Sequence, residues 1–302
     1  MADLEGARVG VIGGSGLYSI PGLSQVEERA IPTPFGTPSD QLRLGKLEGV
    51  ETVFLARHGR HHQLLPSEVP YRANIWAMRS LGVRWLISLS AVGSLQGHLH
   101  PRDMVVPDQF IDRTRQRPSS FFGNGCVAHV SLAEPFCPQL SALLADAAER
   151  GLPKGQKLHR GGTYLCMEGP AFSTQAESKL YRSWGCSVIG MTNHTEARLA
   201  REAELAYASL SMVTDFDCWH EDHDAVSVEM VISNLQANAS ATEPILSGLM
   251  QQLKQKPPAS TAHTALANAL ITPKDQVPAE TRSKLDLFTS PYWGSFDQSS
   301  IS

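Results

Sequence analysis

Short apolar runs recur along the chain from residue 8 to residue 214. Arg8–Ile12, Thr52–Ala56, Arg84–Ser90, Asp103–Ile111, Gly162–Met167, Ser187–Met191 and Ala206–Thr214 read as strands. Several are apolar at consecutive positions, as strands covered on both faces should be. Amphipathic stretches lie between them: Ala73–Leu81, Leu140–Arg150 stopped by Gly151, Phe172–Trp184 stopped by Gly185, and Thr195–Leu205. This alternation predicts an α/β fold with a largely buried sheet. A longer helix starts near Ser227, because Val228, Val231, Ile232, Leu235 and Ala239 fall on one helical face. Pro257 and Pro258 then break the chain inside Lys254–Ser260, which reads as a linker. Leu266–Ile271 and Arg282–Phe288 could be short helices. The tail is too poor in apolar residues to stand as its own domain. The expected organisation is therefore one domain over residues 1–302, with 253–302 as a tail that could be mobile.

Composition narrows the class. Of 302 residues, 42% are hydrophobic and 19% charged, an ordinary mix for a globular enzyme. The net charge of −4 argues against a nucleic-acid or anionic-membrane binder. No apolar stretch approaches the roughly 20 residues that span a bilayer, and Met1–Gly10 lacks a signal-peptide core. Cys126, Cys137, Cys166, Cys186 and Cys218 are scattered, so reduced thiols in a cytoplasm are the simple reading.

Candidate chemistry gathers at strand ends. Gly13-Gly14-Ser15-Gly16 follows the first strand and can cradle an anion or simply turn the chain. A dinucleotide fingerprint would need a further glycine where Ser19 stands, which weighs against a dinucleotide-dependent oxidoreductase. Arg57 and His58 follow the second strand in Arg57-His58-Gly59-Arg60-His61-His62, which reads as an anion site or a solvated basic loop. No carboxylate or cysteine accompanies these histidines, so metal binding is not expected. Ser90-Ala91-Val92-Gly93-Ser94 puts small residues at a strand end, where open α/β sheets bind ligands. Phe172 could stack on a flat ring; Ser173 could be a helix cap. Met191-Thr192 closes another strand. Asp215 and Asp217 end the last strand two residues apart, a spacing that projects both to one side. Burying both raises their pKa values, so one can stay protonated and donate to a departing base. A turn or a metal site is the blander use of such a pair. His220-Glu221-Asp222-His223-Asp224 reads as a solvated loop before an acidic helix start.

Taken together these blocks resemble the trimeric purine nucleoside phosphorylase family, and within it the members that cleave 5′-methylthioadenosine. The resemblance rests on Ile12-Gly13-Gly14-Ser15-Gly16-Leu17, Leu55-Ala56-Arg57-His58-Gly59-Arg60 and Tyr71-Arg72-Ala73-Asn74-Ile75-Trp76. It extends through Asp108-Gln109-Phe110-Ile111-Asp112-Arg113-Thr114, Ala133-Glu134-Pro135-Phe136-Cys137-Pro138 and Asp215-Phe216-Asp217-Cys218-Trp219, in order from about Val9 to about Ala239. It implies a nucleoside phosphorylase fold: a single α/β domain with a central mixed, partly barrel-like sheet flanked by helices, in a cytoplasmic homotrimer with sites at subunit interfaces. It implies phosphorolysis of 5′-methylthioadenosine to adenine and 5-methylthioribose 1-phosphate, with inorganic phosphate as co-substrate and no cofactor or metal. The implied phosphate ligands are Ser15, Arg57, His58, Ser90, Ala91 and Thr192. Met191 would lie against the ribose, Phe172 and Ser173 would line the purine pocket, and Asp215 and Asp217 would read the base. Val228, Val231 and Ile232 would receive the methylthio group, and His129 would approach from a neighbouring subunit.

Departures from the family pattern leave the substrate open. Ala171 stands where Arg is common, Val92 where Cys is frequent, and Ser90 where Thr is usual. Thr192-Asn193-His194-Thr195-Glu196 replaces a Thr-Val-Pro-Glu pattern. The alternatives are a purine nucleoside or methylthioinosine phosphorylase, for which an amide at position 215 would be expected, and a non-catalytic purine-binding module.

Overall fold

A computed structural model describes residues 6–220 and 228–297, the side chains of 228–232 excepted. Eleven strands form one mixed sheet between two helical layers. Its centre is parallel. Strand β1 (Arg8–Gly13) lies between β4 (Val50–Ala56) and β5 (Val83–Ser94), and β11 (Ala206–Asp215) runs along the other edge of β5. These strands are almost wholly buried, as their unbroken apolar runs require.

The twelve residues of β5 outrun β1, and this decides where a site can form. The first part of β5 pairs with β1 up to Gly13 opposite Leu89. Its last part pairs antiparallel with β10 (Val188–Gly190), Ile189 opposite Gly93. Between these partners Ser90, Ala91 and Val92 have neighbours only on the β11 side. The sheet branches here. One arm continues from β10 to β9 (Thr163–Met167) and β7 (Gln109–Arg113). The other runs from β11 through β6 (Met104–Val106) to β8 (Leu158–Arg160). The sheet does not close, because β7 ends one arm and β8 the other with no pairing between them.

Where Asp103–Ile111 reads as one strand in the sequence, the structure has these two. Pro107 has no N–H to donate, and Asp108 turns the chain by bonding Gly162 in both directions, N–H to carbonyl at 3.2 Å and Oδ1 from N–H at 3.1 Å. Strand β8 and two others have no counterpart among the expected runs. Strand β2 (Ser24–Arg29) is an edge strand exposed at every residue, and β3 (Leu42–Leu47) pairs it to β4.

Helices α2 (Pro138–Gly151) and α5 (Val228–Gln255) cover one face, burying Leu140, Leu144, Ile245 and Leu249 against β1, β5 and β11. Helices α1 (Tyr71–Ser80), α4 (Asn193–Glu202) and α6 (Ala279–Trp293) cover the other. Arg282–Phe288 falls inside α6, while Leu266–Ile271 forms turns after a short 3-10 segment at Thr261–Thr264 rather than a helix. Leu266, Leu285 and Phe288 are buried in this second core although the segment as a whole is polar. A few apolar side chains suffice because they join the cluster that α1 and α4 already bury. Among the described residues no helix is long and apolar enough to cross a membrane.

Candidate active site

The unpartnered stretch of β5 floors a cavity of about 330 Å³. Ser15, Arg57, His58, Ser90, Ala91, Phe172, Met191, Thr192, Asp215 and Asp217 all line it. Residues from far apart in the sequence thus converge at the switch point of the sheet.

One end gathers hydrogen-bonding groups around a buried cation. Gly14 continues from β1, its N–H bonded to the Leu89 carbonyl at 2.9 Å. A Cβ on Gly14 would lie 2.6 Å from Arg57 Nη1 and 2.8 Å from the Leu89 oxygen, so only glycine lets the guanidinium approach. Arg57 is 1% exposed. Its Nε and Nη2 form a bidentate pair with Glu196, Nη2 also donates to Ser88 Oγ at 2.7 Å, and Nη1 donates to the Leu89 carbonyl at 3.1 Å. Ser88 and Tyr207 hydroxyls donate in turn to Glu196 Oε2, at 2.8 and 2.9 Å. Four of the five guanidinium N–H groups are therefore used behind the wall, and one on Nη1 is left for a ligand. Burial alone would lower the Arg57 pKa; Glu196 more than offsets this and raises it. Ser90 Oγ is buried with no protein partner, a group that costs free energy unless a ligand or water pairs with it.

His58 completes this end. Its Nδ1 lies 2.8 Å from the Leu64 carbonyl, which can only accept, so Nδ1 carries the proton and Nε2 is an acceptor. Burial, then the neighbouring Arg57 charge, pushes its pKa down to about 4. His194 and His263 are also pushed down to about 4, first by burial. A group with a lowered folded pKa stabilises the fold above its ordinary value and loses that contribution as pH falls through the folded value. The melting temperature should therefore fall between pH 6.5 and about 4, and His58→Asn should make the fall shallower. A flat melting profile across that window would remove the neutral-histidine assignment.

The other end is acidic. Asp215 ends β11 after an irregularity that sets it opposite Gly93. A Cβ on Gly93 would sit 3.0 Å from Asp215 Oδ1, so glycine keeps the carboxyl's place clear. Asp215 accepts from the Thr214 hydroxyl at 2.7 Å and the Asp217 N–H at 2.8 Å. Burial raises its pKa against these two bonds. Burial also raises that of Asp217, and the neighbouring Asp215 adds to it. The two side chains do not share a face by strand pleat, as their spacing suggests. Strand β11 stops at Asp215, and Asp217 reaches the cavity through a turn in which its own φ is +51°.

Ser173 and His129 fall outside the cavity wall. Ser173 lies beside Met167, Oγ to Sδ 3.8 Å, and accepts at its carbonyl from Cys218 Sγ. It is not a helix cap either: Thr174 caps α3 (Gln175–Ser183) in a capping box with Glu177. His129 is exposed, with its backbone N–H on the Ala269 carbonyl. The side chains of Val228, Val231 and Ile232 lie outside the described residues, but Leu235, one turn further along α5, lines the cavity. Residues 221–224 of the acidic loop lie outside them too. Among the described residues no three His, Cys, Asp or Glu side chains gather as a metal site.

Sequence reasoning missed Glu196, the buried charge partner of Arg57. It stands out only as the last residue of a divergent block, because its partner Arg57 is 139 positions away.

Comparison with known proteins agrees with this geometry. Residues 8–251 match the phosphorylase superfamily. The chain is 63% identical to the S-methyl-5′-thioadenosine phosphorylase of Prochlorococcus marinus, over 98% of this chain and 94% of that one. A methylthioadenosine phosphorylase from an antarctic soil metagenomic library superposes with TM-score 0.89 at 50% identity, covering 93% of this chain and 98% of that one. A variant of the adenosine/methylthioadenosine phosphorylase of Schistosoma mansoni, solved with methylthioadenosine, superposes with TM-score 0.78 at 36% identity, covering 83% and 92%.

Proposed function

The chain belongs to the phosphorylase superfamily, and from that premise we propose that it is a pentosyltransferase that splits 5′-methylthioadenosine with inorganic phosphate into adenine and 5-methylthioribose 1-phosphate. The observation that carries this reading is the polarity of the cavity. The orphan hydroxyl of Ser90 beside Arg57 marks one end, and the raised carboxyl pair marks the other. Ser90 and Gly93 are three strand residues apart, about 10 Å. That separation suits a phosphate at one end and a purine at the other, with the sugar between.

The chemistry needs no cofactor and no metal. Phosphate held by Arg57, Ser90, Thr192, Ala91 and the Gly14–Ser15 backbone attacks C1′ as the C1′–N9 bond breaks. The sugar gains oxocarbenium character, and the phosphate charge stabilises it. His58, neutral, presents Nε2 as an acceptor for a phosphate hydroxyl. The electron pair of the broken bond passes to the purine, and protonated Asp215 relieves it by donating to N7. Asp217 orders the 6-amino edge, Phe172 covers the ring, and Met191 supports the ribose. Leu235, 8% exposed, lines the cavity and supplies an apolar contact for the 5′ group.

The homotrimer belongs to this proposal. Phe172 is 55% exposed at the cavity mouth, and Val127 and Ile271, which flank His129 on a separate surface, are 45% and 58% exposed. Joining these surfaces between copies would close the purine end and bring His129 to it. The buried free thiols suit a cytoplasmic setting.

The test is base release from methylthioadenosine, adenosine and methylthioinosine, with and without phosphate, with sedimentation alongside. Release should require phosphate and yield a sugar 1-phosphate. Methylthioadenosine should exceed adenosine about tenfold in kcat/KM, since burying one methyl-sized group contributes roughly 1–2 kcal/mol. Equal release without phosphate would indicate a hydrolase. Binding without turnover would indicate a purine-binding module, and a monomer of full activity would remove the interface role of His129.

A further inference from the structure

Arg117 lies in none of the segments that line the cavity, yet it is the best-connected cation in the described structure. Its side chain is 1% exposed. All five guanidinium N–H groups have acceptors. Nε donates to Glu168 Oε1 at 3.1 Å, Nη2 to the Glu168 carbonyl at 2.7 Å and the Met167 carbonyl at 3.4 Å, and Nη1 to the Tyr71 hydroxyl at 3.2 Å and to the Met191 carbonyl. The Tyr71 hydroxyl passes the link on to the Pro66 carbonyl at 2.8 Å.

These acceptors belong to three separate parts of the wall. Met167 ends β9 and leads into the loop that carries Pro170 and Phe172; Met191 follows β10; Pro66 belongs to the loop before α1. Met167, Pro170, Phe172, Met191 and Pro66 all line the cavity. The anion end is held differently, by Glu196, Ser88 and Leu89 around Arg57. A planar fork with five fixed donors can tie several carbonyls into one geometry, which an ammonium with three donors cannot.

We propose that Arg117 is a positioning residue for the nucleoside half of the cavity, setting the sugar and base walls relative to the phosphate end from behind. This rests on the phosphorolysis reading above. Arg117 touches no substrate. It fixes the carbonyls whose own side chains do. Nothing in the sequence marks it, since its partners lie 46 to 74 positions away.

The test separates the two substrates. Arg117→Lys keeps the charge and loses the fork. It should raise the nucleoside KM about tenfold or more while the phosphate KM stays within about twofold. Arg117→Ala should be weaker still, and millimolar guanidinium should restore several-fold of the lost activity without stimulating the unmodified protein. If either variant fails to fold, Tyr71→Phe removes one acceptor and the link to Pro66, and should raise the nucleoside KM about threefold in the same selective way. Shifts in melting temperature with methylthioadenosine alone and phosphate alone give the same split without turnover. Equal losses for both substrates, or a folded Arg117→Ala that guanidinium does not rescue, would overturn the positioning role. If the unmodified protein failed to phosphorolyse methylthioadenosine, the functional reading would fall, while the melting shifts would still decide whether Arg117 governs nucleoside binding.

Discussion

Asp215→Asn is expected to turn the base preference of the site from 6-aminopurines toward 6-oxopurines. Adenine presents N7 as an acceptor and its 6-amino group as a donor. A protonated carboxyl satisfies both, with its O–H on N7 and its carbonyl on the amine. Burial, which pushes the Asp215 pKa upward, favours that protonated form. Hypoxanthine presents an oxygen at position 6, which would face the carboxyl oxygen with no proton between them. A buried site that leaves polar groups unpaired rejects such a ligand strongly. An amide supplies the missing donor. The ratio of kcat/KM for methylthioadenosine over methylthioinosine should move by about 10²-fold or more, a few kcal/mol. Asp217→Asn should slow the reaction with a smaller change in preference. Unchanged rate and preference in Asp215→Asn would transfer the general-acid role to Asp217. A 6-oxopurine preference in the unmodified protein would refute the substrate and leave the phosphorylase chemistry standing.

The second large effect is expected at the Arg57–Glu196 pair. Both side chains are at most 2% exposed, and each is the other's charge partner. Removing one leaves a buried charge uncompensated, which costs about 3–5 kcal/mol of stability. Glu196→Gln should therefore lower the melting temperature and also reduce kcat/KM for phosphate on the order of 10²-fold, because Arg57 loses the fork that aims its remaining N–H. Arg57→Ala should reduce it at least as much. The double variant Arg57→Met with Glu196→Leu separates the two roles. Stability should largely return, since an apolar pair can replace a buried ion pair, while phosphate dependence stays impaired. Recovery of both would make the pair purely structural, and loss of neither in Glu196→Gln would detach the carboxylate from the site.

The chemistry at strand ends was legible because small, polar or charged residues interrupt apolar runs there, at Gly14, Arg57, Ser90, Thr192 and Asp215. Strand ends in an α/β sheet are where ligands bind, so a local pattern carried functional meaning. The buried strands β1, β4, β5 and β11 were legible for the same reason, their apolar runs being the direct imprint of burial on both faces. Edge strand β2 was not, because a strand exposed at every position owes its conformation to its neighbour rather than to its own residues.

By itself the sequence determined the α/β alternation, the family blocks and the polar residues that line the cavity at strand ends, such as Ser15, Arg57, Ser90, Thr192 and Asp215, since each depends on residues within a few positions of one another. Only the tertiary structure decided how they meet. Strand β5 outruns β1 before β10 joins it, and that gap, a property of three strands at once, opens the cavity. The turn after β11 brings Asp217 in where strand pleat does not. Glu196 behind Arg57 and Arg117 behind Met191 act across 139 and 74 positions of chain. Such partners leave no local periodicity or spacing, because what pairs them is the shared need of buried charges and carbonyls for hydrogen bonds once the fold has closed around them.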